Sequence, residues 1–355
     1  MKRREFITYL SSPMRVMSPN REESPMLNIK RRDFVSLLAG AAISAPRAAL
    51  AQTSPKTFHL GTLTPALPMD EKTPLGMILL KKLDENGYAL GKNLSFEARG
   101  ARGEMSKLGA IVREMKANQI DVIVAAGYPP TLACKVANVP TVVVFGGGDP
   151  VATHLIDALK RPGGNITGIS DNATTLSTKR LGLLKQAVPK LQKVAMLWNR
   201  GDPGMSMWYE ASADAARSLG IKILELGVRK PDDFDGVFEA MDREPPDAIF
   251  VVTDGLTNLN RKRVFGYADA HHIPALYEYD YFVRDGGLMS YGPDLKESME
   301  RAADLVMRIF RGERPADLPF EEPTHYPLVI NLKTAKATGI ELPLNFLALA
   351  DEVIE

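Results

Sequence analysis

The feature that most constrains this chain is a repeated alternation. Short runs rich in Val, Ile, Leu and Phe, bounded by Gly, Pro, Asp or Asn, are separated by stretches with helical spacing. The runs are 58–63, 94–98, 122–126, 141–145, 194–198, 221–226, 248–253, 275–277, 287–291 and 328–330. Continuous apolar runs of this length suit parallel strands covered on both faces. Between them, 74–86 places Leu75, Ile78, Leu79 and Leu83 on one face, and 107–118 does the same with Leu108, Ile111, Val112 and Met115. Further helices are predicted over 151–159, 178–187, 208–219, 234–241, 261–271 and 295–310. Strands joined by helices form βαβ units and parallel sheets.

Gly163-Gly164-Asn165 interrupts the series, and a second strand–helix series follows it. Helix 295–310 and the run at 328 come after that second series and have no place in a simple tandem. They fit if the chain crosses back to the first half and then returns. Crossings are expected near 165–171, 286–293 and 318–326, three neighbouring segments that together form a hinge. The expected domains are 52–167 with 292–318, and 168–291 with 319–355.

Residues 1–51 read as a leader. Lys30-Arg31-Arg32-Asp33-Phe34 opens a basic region, 34–45 is mostly apolar, and Ala49-Leu50-Ala51 gives small residues at an expected cleavage after Ala51. The paired arginines resemble a twin-arginine (Tat) export signal. The apolar run is shorter than the ~18 residues a membrane span needs. Gln52, not Cys, follows the cut, so no lipid anchor is expected. Lys2-Arg3-Arg4-Glu5-Phe6 echoes the same signal, and translation from Met26 is the reading that follows.

The 355 residues carry 44 basic and 43 acidic side chains, a net charge of +1. No strong field favours nucleic acid or a membrane surface. Cys134 is the single cysteine, so neither an intramolecular disulfide nor a Cys-rich metal site is possible. Gly146-Gly147-Gly148-Asp149 lacks the G-x-G-x-x-G spacing of a dinucleotide loop. Neither a P-loop lysine motif, a G-x-S-x-G elbow nor an H-E-x-x-H pair occurs. Glu321-Glu322 is bracketed by Pro319 and Pro323 and reads as linker. No catalytic residue, metal or cofactor is expected.

In parallel α/β sheets a ligand binds beyond the carboxyl ends of the strands. That rule nominates Thr64 after the first run, Gly127, Tyr128 and Thr131 after 122–126, and Asp149 after 141–145. From the second half it nominates Asn199, Asp254 and Tyr279. Backbone N–H groups from Gly127 to Thr131 suit a carboxylate, although Pro129 and Pro130 remove two donors. Asp149 or Asp254 suits an ammonium group, and Tyr128 or Tyr279 a flat or apolar body. Asp149 and Asp254 serve equally well as helix caps.

Several stretches together carry a family resemblance: Asp149-Pro150-Val151-Ala152, Arg161-Pro162-Gly163-Gly164-Asn165-Ile166-Thr167-Gly168, Gly286-Gly287-Leu288-Met289-Ser290-Tyr291-Gly292-Pro293, Leu328-Val329-Ile330-Asn331-Leu332-Lys333 and Ala350-Asp351-Glu352-Val353-Ile354. In this order they resemble the ABC-transporter substrate-binding proteins that include tryptophan- and tyrosine-binding members. The resemblance covers the chain after the leader. It implies the type I periplasmic-binding-protein fold: two Rossmann-like α/β lobes with parallel sheets and a three-segment hinge. It also implies a monomer in the periplasm that clamps an amino acid or another small organic solute and hands it to the membrane permease of an ABC importer. No bond chemistry and no nucleic acid are involved. A binder that presents its ligand to a membrane receptor shares this fold, and an exported α/β enzyme is the remaining alternative. Tyr128-Pro129-Pro130 and Tyr279-Asp280-Tyr281 depart from the family pattern, so ligand identity does not carry over.

Overall fold

The computed structural model describes residues 56–145 and 148–355, and the leader and its cleavage site lie outside the described residues. The first sheet holds β1 (Phe58–Thr64), β2 (Leu94–Gly100), β3 (Val122–Ala126), β4 (Thr141–Val144) and β5 (Ile166–Gly168), in the order β2-β1-β3-β4-β5. All its pairings are parallel. The second sheet holds β6 (Lys193–Asn199), β7 (Lys222–Val228), β8 (Ala248–Val251), β9 (Ala275–Tyr277), β10 (Met289–Tyr291), β11 (Leu328–Asn331) and β12 (Glu352–Ile354), in the order β12-β11-β10-β9-β8-β6-β7. The molecule is thus the α/β, two-lobed, parallel-sheet architecture expected from the runs.

The helices are α1 (Pro74–Glu85), α2 (Leu108–Ala117), α3 (Tyr128–Ala137), α4 (Ala173–Ala187), α5 (Pro203–Ser218), α6 (Asp233–Arg243), α7 (Gly255–Leu259), α8 (Arg261–Ala270), α9 (Asp280–Arg284), α10 (Leu295–Phe310), α11 (Leu332–Ala337) and α12 (Leu344–Leu347). Helix α10 follows ten strands in sequence, yet it packs in the first lobe. Its Met299, Ala302, Ala303, Val306 and Phe310 share a core with Leu60, Leu79, Leu83, Val124 and Val142. Burying that stripe, rather than any local propensity, draws the chain back across.

The return explains the one break in parallel pairing. β10 leaves the second lobe at its carboxyl end, and β11 re-enters beside it. The two strands therefore run antiparallel, Met289 opposite Ile330 and Tyr291 opposite Leu328.

The crossings lie side by side. Glu321 N donates to Gly168 O (2.9 Å) and Ser170 N to Glu321 O (2.8 Å), a parallel bridge between the first and third crossings. Asp294 N donates to His325 O (3.0 Å), joining the second to the third. The Glu297 carboxylate, on the first turn of α10, accepts from Thr324 N and His325 N, while Arg301 reaches both Glu297 and Glu321.

Two local expectations change. Residues 151–159 form turns, not a helix. Leu155 N and Ile156 N both donate to Pro150 O, and His154 takes a left-handed φ of 57°. The turn sinks Leu155 and Ile156 into a cluster with Val143, Ile166 and Phe320, which outweighs their helical spacing. Helix α5 begins at Pro203 instead of Trp208, because the Asp202 side chain accepts from Gly204 N and Met205 N with proline at the first helical position.

Gly168 sits where β5 leads into the first crossing. A Cβ there would lie 2.4 Å from Val143 O and 2.6 Å from Val143 N. Backbone cannot yield as a flexible side chain does. Gly168→Ala is expected to cost about 1–3 kcal/mol in urea unfolding; wild-type stability in the variant would contradict the packing described.

Candidate ligand cleft

The carboxyl ends of the two sheets meet along a seam. A Cβ on Gly255 would stand 2.7 Å from the Pro65 ring, and one on Gly148 would stand 3.0 Å from Gly204 Cα. Both glycines let the lobes approach more closely than a Cβ would without a shift of the neighbour. The Phe145 ring of the first lobe meets the Tyr279 ring of the second edge-on, with centroids 5.8 Å apart.

Five of the nominated positions belong to the seam's first-lobe edge or its support. Thr64 ends β1, and its hydroxyl donates to Leu67 O (2.6 Å), shaping the loop that carries Pro65. Gly127 precedes α3 with φ 83°, which only glycine adopts readily. Tyr128 opens that helix and packs on the Leu155–Ile156 cluster. Thr131 is buried, its hydroxyl donating to Gly127 O (2.6 Å). Asp149 is exposed, and its carboxylate caps the following turn through Val151 N and Ala152 N.

Three others come together on the second lobe. Asn199 Nδ2 donates to Asp254 Oδ2 at 2.6 Å, joining the ends of β6 and β8. Asp254 Oδ1 accepts from Thr257 N while Thr257 Oγ1 accepts from Asp254 N, a capping box at the start of α7. Tyr279 is buried at the end of β9, stacked on Tyr281 and facing Phe145.

Sequence reasoning passed over Asp202, Arg180 and Phe145. Asp-Pro-Gly directly after a strand is a helix-start signal, and starting the helix there puts Asp202 at a strand end like Asn199. Asp202 is 4% exposed. Burial, then the nearby Asp254 charge, pushes its carboxyl up to about 7. Burial likewise raises Asp254, opposed by its bonds from Thr257 and Asn199.

The Arg180–Glu278 pair is wholly enclosed, Nη2 to Oε1 at 3.0 Å. No sequence spacing signals it, because the partners lie 98 positions apart. Arg180 also donates to Tyr291 O and Ala173 O and lies over the Trp208 ring. It thereby ties α4 to the ends of β9 and β10, beside the crossings. Burial raises the Glu278 carboxyl, and Arg180 pulls it down. Among the described residues no hydrogen bond of normal geometry reaches Glu278 Oε2 or the Tyr279 hydroxyl, though that hydroxyl lies close enough to favour the ionised carboxylate. A depression of about 900 Å³ on the far side, between α5 and edge strand β7, shares no residue with the seam.

Two parallel-type sheets facing across a seam define the two-lobed fold of type I periplasmic binding proteins. The chain belongs to the ABC transporter substrate binding protein family, whose pattern it matches over residues 73–354. It is 25% identical over 276 residues to a tyrosine-binding protein of Clostridioides difficile (strain R20291), spanning 77% of this chain and 78% of that one. Among solved structures it resembles a conserved domain protein from Vibrio cholerae (TM-score 0.77, 26% identity, 84% of this chain and 100% of that one). It also resembles an ABC domain from Streptococcus pneumonia in complex with L-Trp (TM-score 0.74, 22% identity, 84% and 100%). A ligand-free, open substrate-binding protein from Clostridium difficile matches at TM-score 0.58 (23% identity, 84% and 99%). Among the described residues no helix is long and apolar enough to cross a membrane.

The raised Asp202 carboxyl sets a direction for stability. The folded chain holds that proton to about pH 7, whereas an unfolded chain releases it near pH ~4. Between those values the native state binds more protons, so stability falls as pH rises through the window. Melting temperature is expected to drop from about pH 5 to about pH 8, and Asp202→Asn to flatten part of that slope. An identical slope in the variant would contradict the assignment.

Proposed function

We propose that this protein is an exported solute-binding protein that closes its lobes on a small molecule and delivers it to the permease of an ABC-type importer. The observation that carries this reading is the seam, where polar and aromatic groups from both sheets converge next to paired crossings. Family membership supports it, and so does the lobe arrangement. The match to the L-Trp complex is better than the match to the open, ligand-free protein at nearly equal identity and coverage. That difference is in keeping with a closed lobe arrangement here.

Closure follows from contacts on both lobes. A ligand shifts the open–closed balance only by as much as it binds the closed form more tightly. Asn199, Asp254 and Tyr279 supply the second-lobe contacts. Phe145 and the edge formed by Gly127, Tyr128 and Asp149 supply the first, with Thr64 and Thr131 holding that edge in shape. The closed form is what a permease recognises, and reopening of the hinge releases the solute. Amino acids head the ligand classes, because relatives carry tyrosine or L-Trp. The twin-arginine-like leader supports export to the periplasm, and the proposed acting form is a monomer.

The test is a thermal-unfolding screen of the purified chain against amino acids, organic amines, small carboxylates, purine-like bases and sugars. Ligand that binds only the folded state raises stability by about 2.7 kcal/mol at a hundredfold excess over Kd. A shift confined to one class is expected; no shift in any class would count against the reading. Gly255→Leu separates closure from folding. Its side chain would run into Pro65 in the arrangement described here. The variant is expected to keep its unliganded melting temperature to within a few degrees and to lose about tenfold or more in affinity for the solute found. Wild-type affinity would rule closure out.

A further inference from the structure

We propose that the buried Arg180–Glu278 pair is the positioning element of closure: it fixes the roots of the crossings to the cleft edge that carries Tyr279, so that rotation at the hinge brings that edge into register with the first lobe. This rests on the closure proposed above and assigns to it two residues outside the ligand contacts.

The geometry begins at the guanidinium. Arg180 stands on α4, and its side chain is 1% exposed. Nε donates to Tyr291 O (2.8 Å), at the last residue of β10 before the second crossing. Nη1 donates to Ala173 O (3.2 Å), at the first residue of α4 after the first crossing. Nη2 donates to Glu278 Oε1 (3.0 Å), directly after β9. One planar group thus joins three segments that are far apart in the sequence. Asp171 Oδ1 accepts from Ala173 N (3.1 Å). Asn172 Nδ2 donates to the Tyr326 hydroxyl (2.7 Å), which brings the third crossing to the same place. Glu278 meets the second crossing through its backbone as well: a Cβ on Gly292 would stand 2.2 Å from Glu278 O. The residue after Glu278 is Tyr279, whose ring faces Phe145 across the seam.

Stability alone does not account for such a pair. The attraction within a buried ion pair often fails to offset its desolvation, and apolar side chains of similar volume hold a core as well. The surroundings suit them: the Trp208 ring lies 4.7 Å from the guanidinium, and Leu181 and Leu184 of α4 share its apolar cluster. What apolar side chains lack is direction. The guanidinium fork sets angle as well as distance to two carbonyls and a carboxylate. The exits of two crossings and the strand end beneath Tyr279 therefore keep one mutual geometry. An error at the root of a hinge grows with distance to the edge it swings, and the approach of Gly255 to Pro65 leaves little room for error.

The experiment needs no solute. Pro65→Cys and Gly255→Cys put one thiol on each side of the seam, where a Cβ on residue 255 lies 2.7 Å from the Pro65 Cβ. The native Cys134 is buried and does not compete. The rate of disulfide formation in the purified full chain under oxidised glutathione then reports how often the lobes close in register. Into that reference background go Arg180→Lys, which keeps the charge and loses the fork, and separately Arg180→Met with Glu278→Met, which removes both charges together. Both are expected to keep the melting temperature within a few degrees and to crosslink about tenfold or more slowly. Glu278→Gln, which keeps the accepting oxygen, is expected to crosslink near the reference rate. A pair that served the core alone would move the melting temperature and leave the rate unchanged. Reference-rate crosslinking in either folded Arg180 variant overturns the inference, as does a failure of both to fold, and the thermal screen then decides the solute-binding reading separately. No crosslink in the reference background overturns closure itself.

Discussion

The architecture depends on the pairing of the crossing segments. Glu321 gives its N–H to Gly168 and takes one from Ser170, so the first and third crossings run together as a short parallel bridge. The second crossing is fastened to the third through Asp294 and His325. These bonds fix where each lobe starts and ends. They fix the antiparallel entry of β11, and they place α10 where its apolar stripe completes the first lobe's core. A few paired backbone segments lying outside both cores are what the proposed closure requires mechanically. Gly168 belongs to the same arrangement, because its missing side chain lets the crossing start flush against Val143.

Seam chemistry follows from that arrangement. Parallel sheets send their carboxyl ends, and the loops after them, toward one edge. Two lobes facing edge to edge bring both loop sets together. The second lobe contributes a carboxylate-rich edge in which each acid has a structural duty: Asp202 starts α5, Asp254 starts α7, and Glu278 anchors Arg180.

Much of this was legible in the sequence where the signal was local. Runs such as 122–126 and 275–277 coincide with β3 and β9, and 295–310 with α10, because apolar composition and helical spacing are local properties. The strand-end rule pointed to Asn199, Asp254 and Tyr279, which do lie at the seam. What escaped was decided over distance or by a competing local bond. The 151–159 stretch has helical spacing, but Pro150 O captures two N–H groups and the cluster with Phe320 claims Leu155 and Ile156. Asp202 was missed because its helix was started too late. Arg180 and Glu278 find each other only after the lobe has folded.

Small-angle scattering of the purified chain, alone and saturated with whichever solute raises its melting temperature most, tests the central claim most directly. The account requires that the unliganded chain be more extended than the structure described here, and that ligand contract it to the closed profile calculated from residues 56–355. Indistinguishable profiles with and without saturating solute would contradict it.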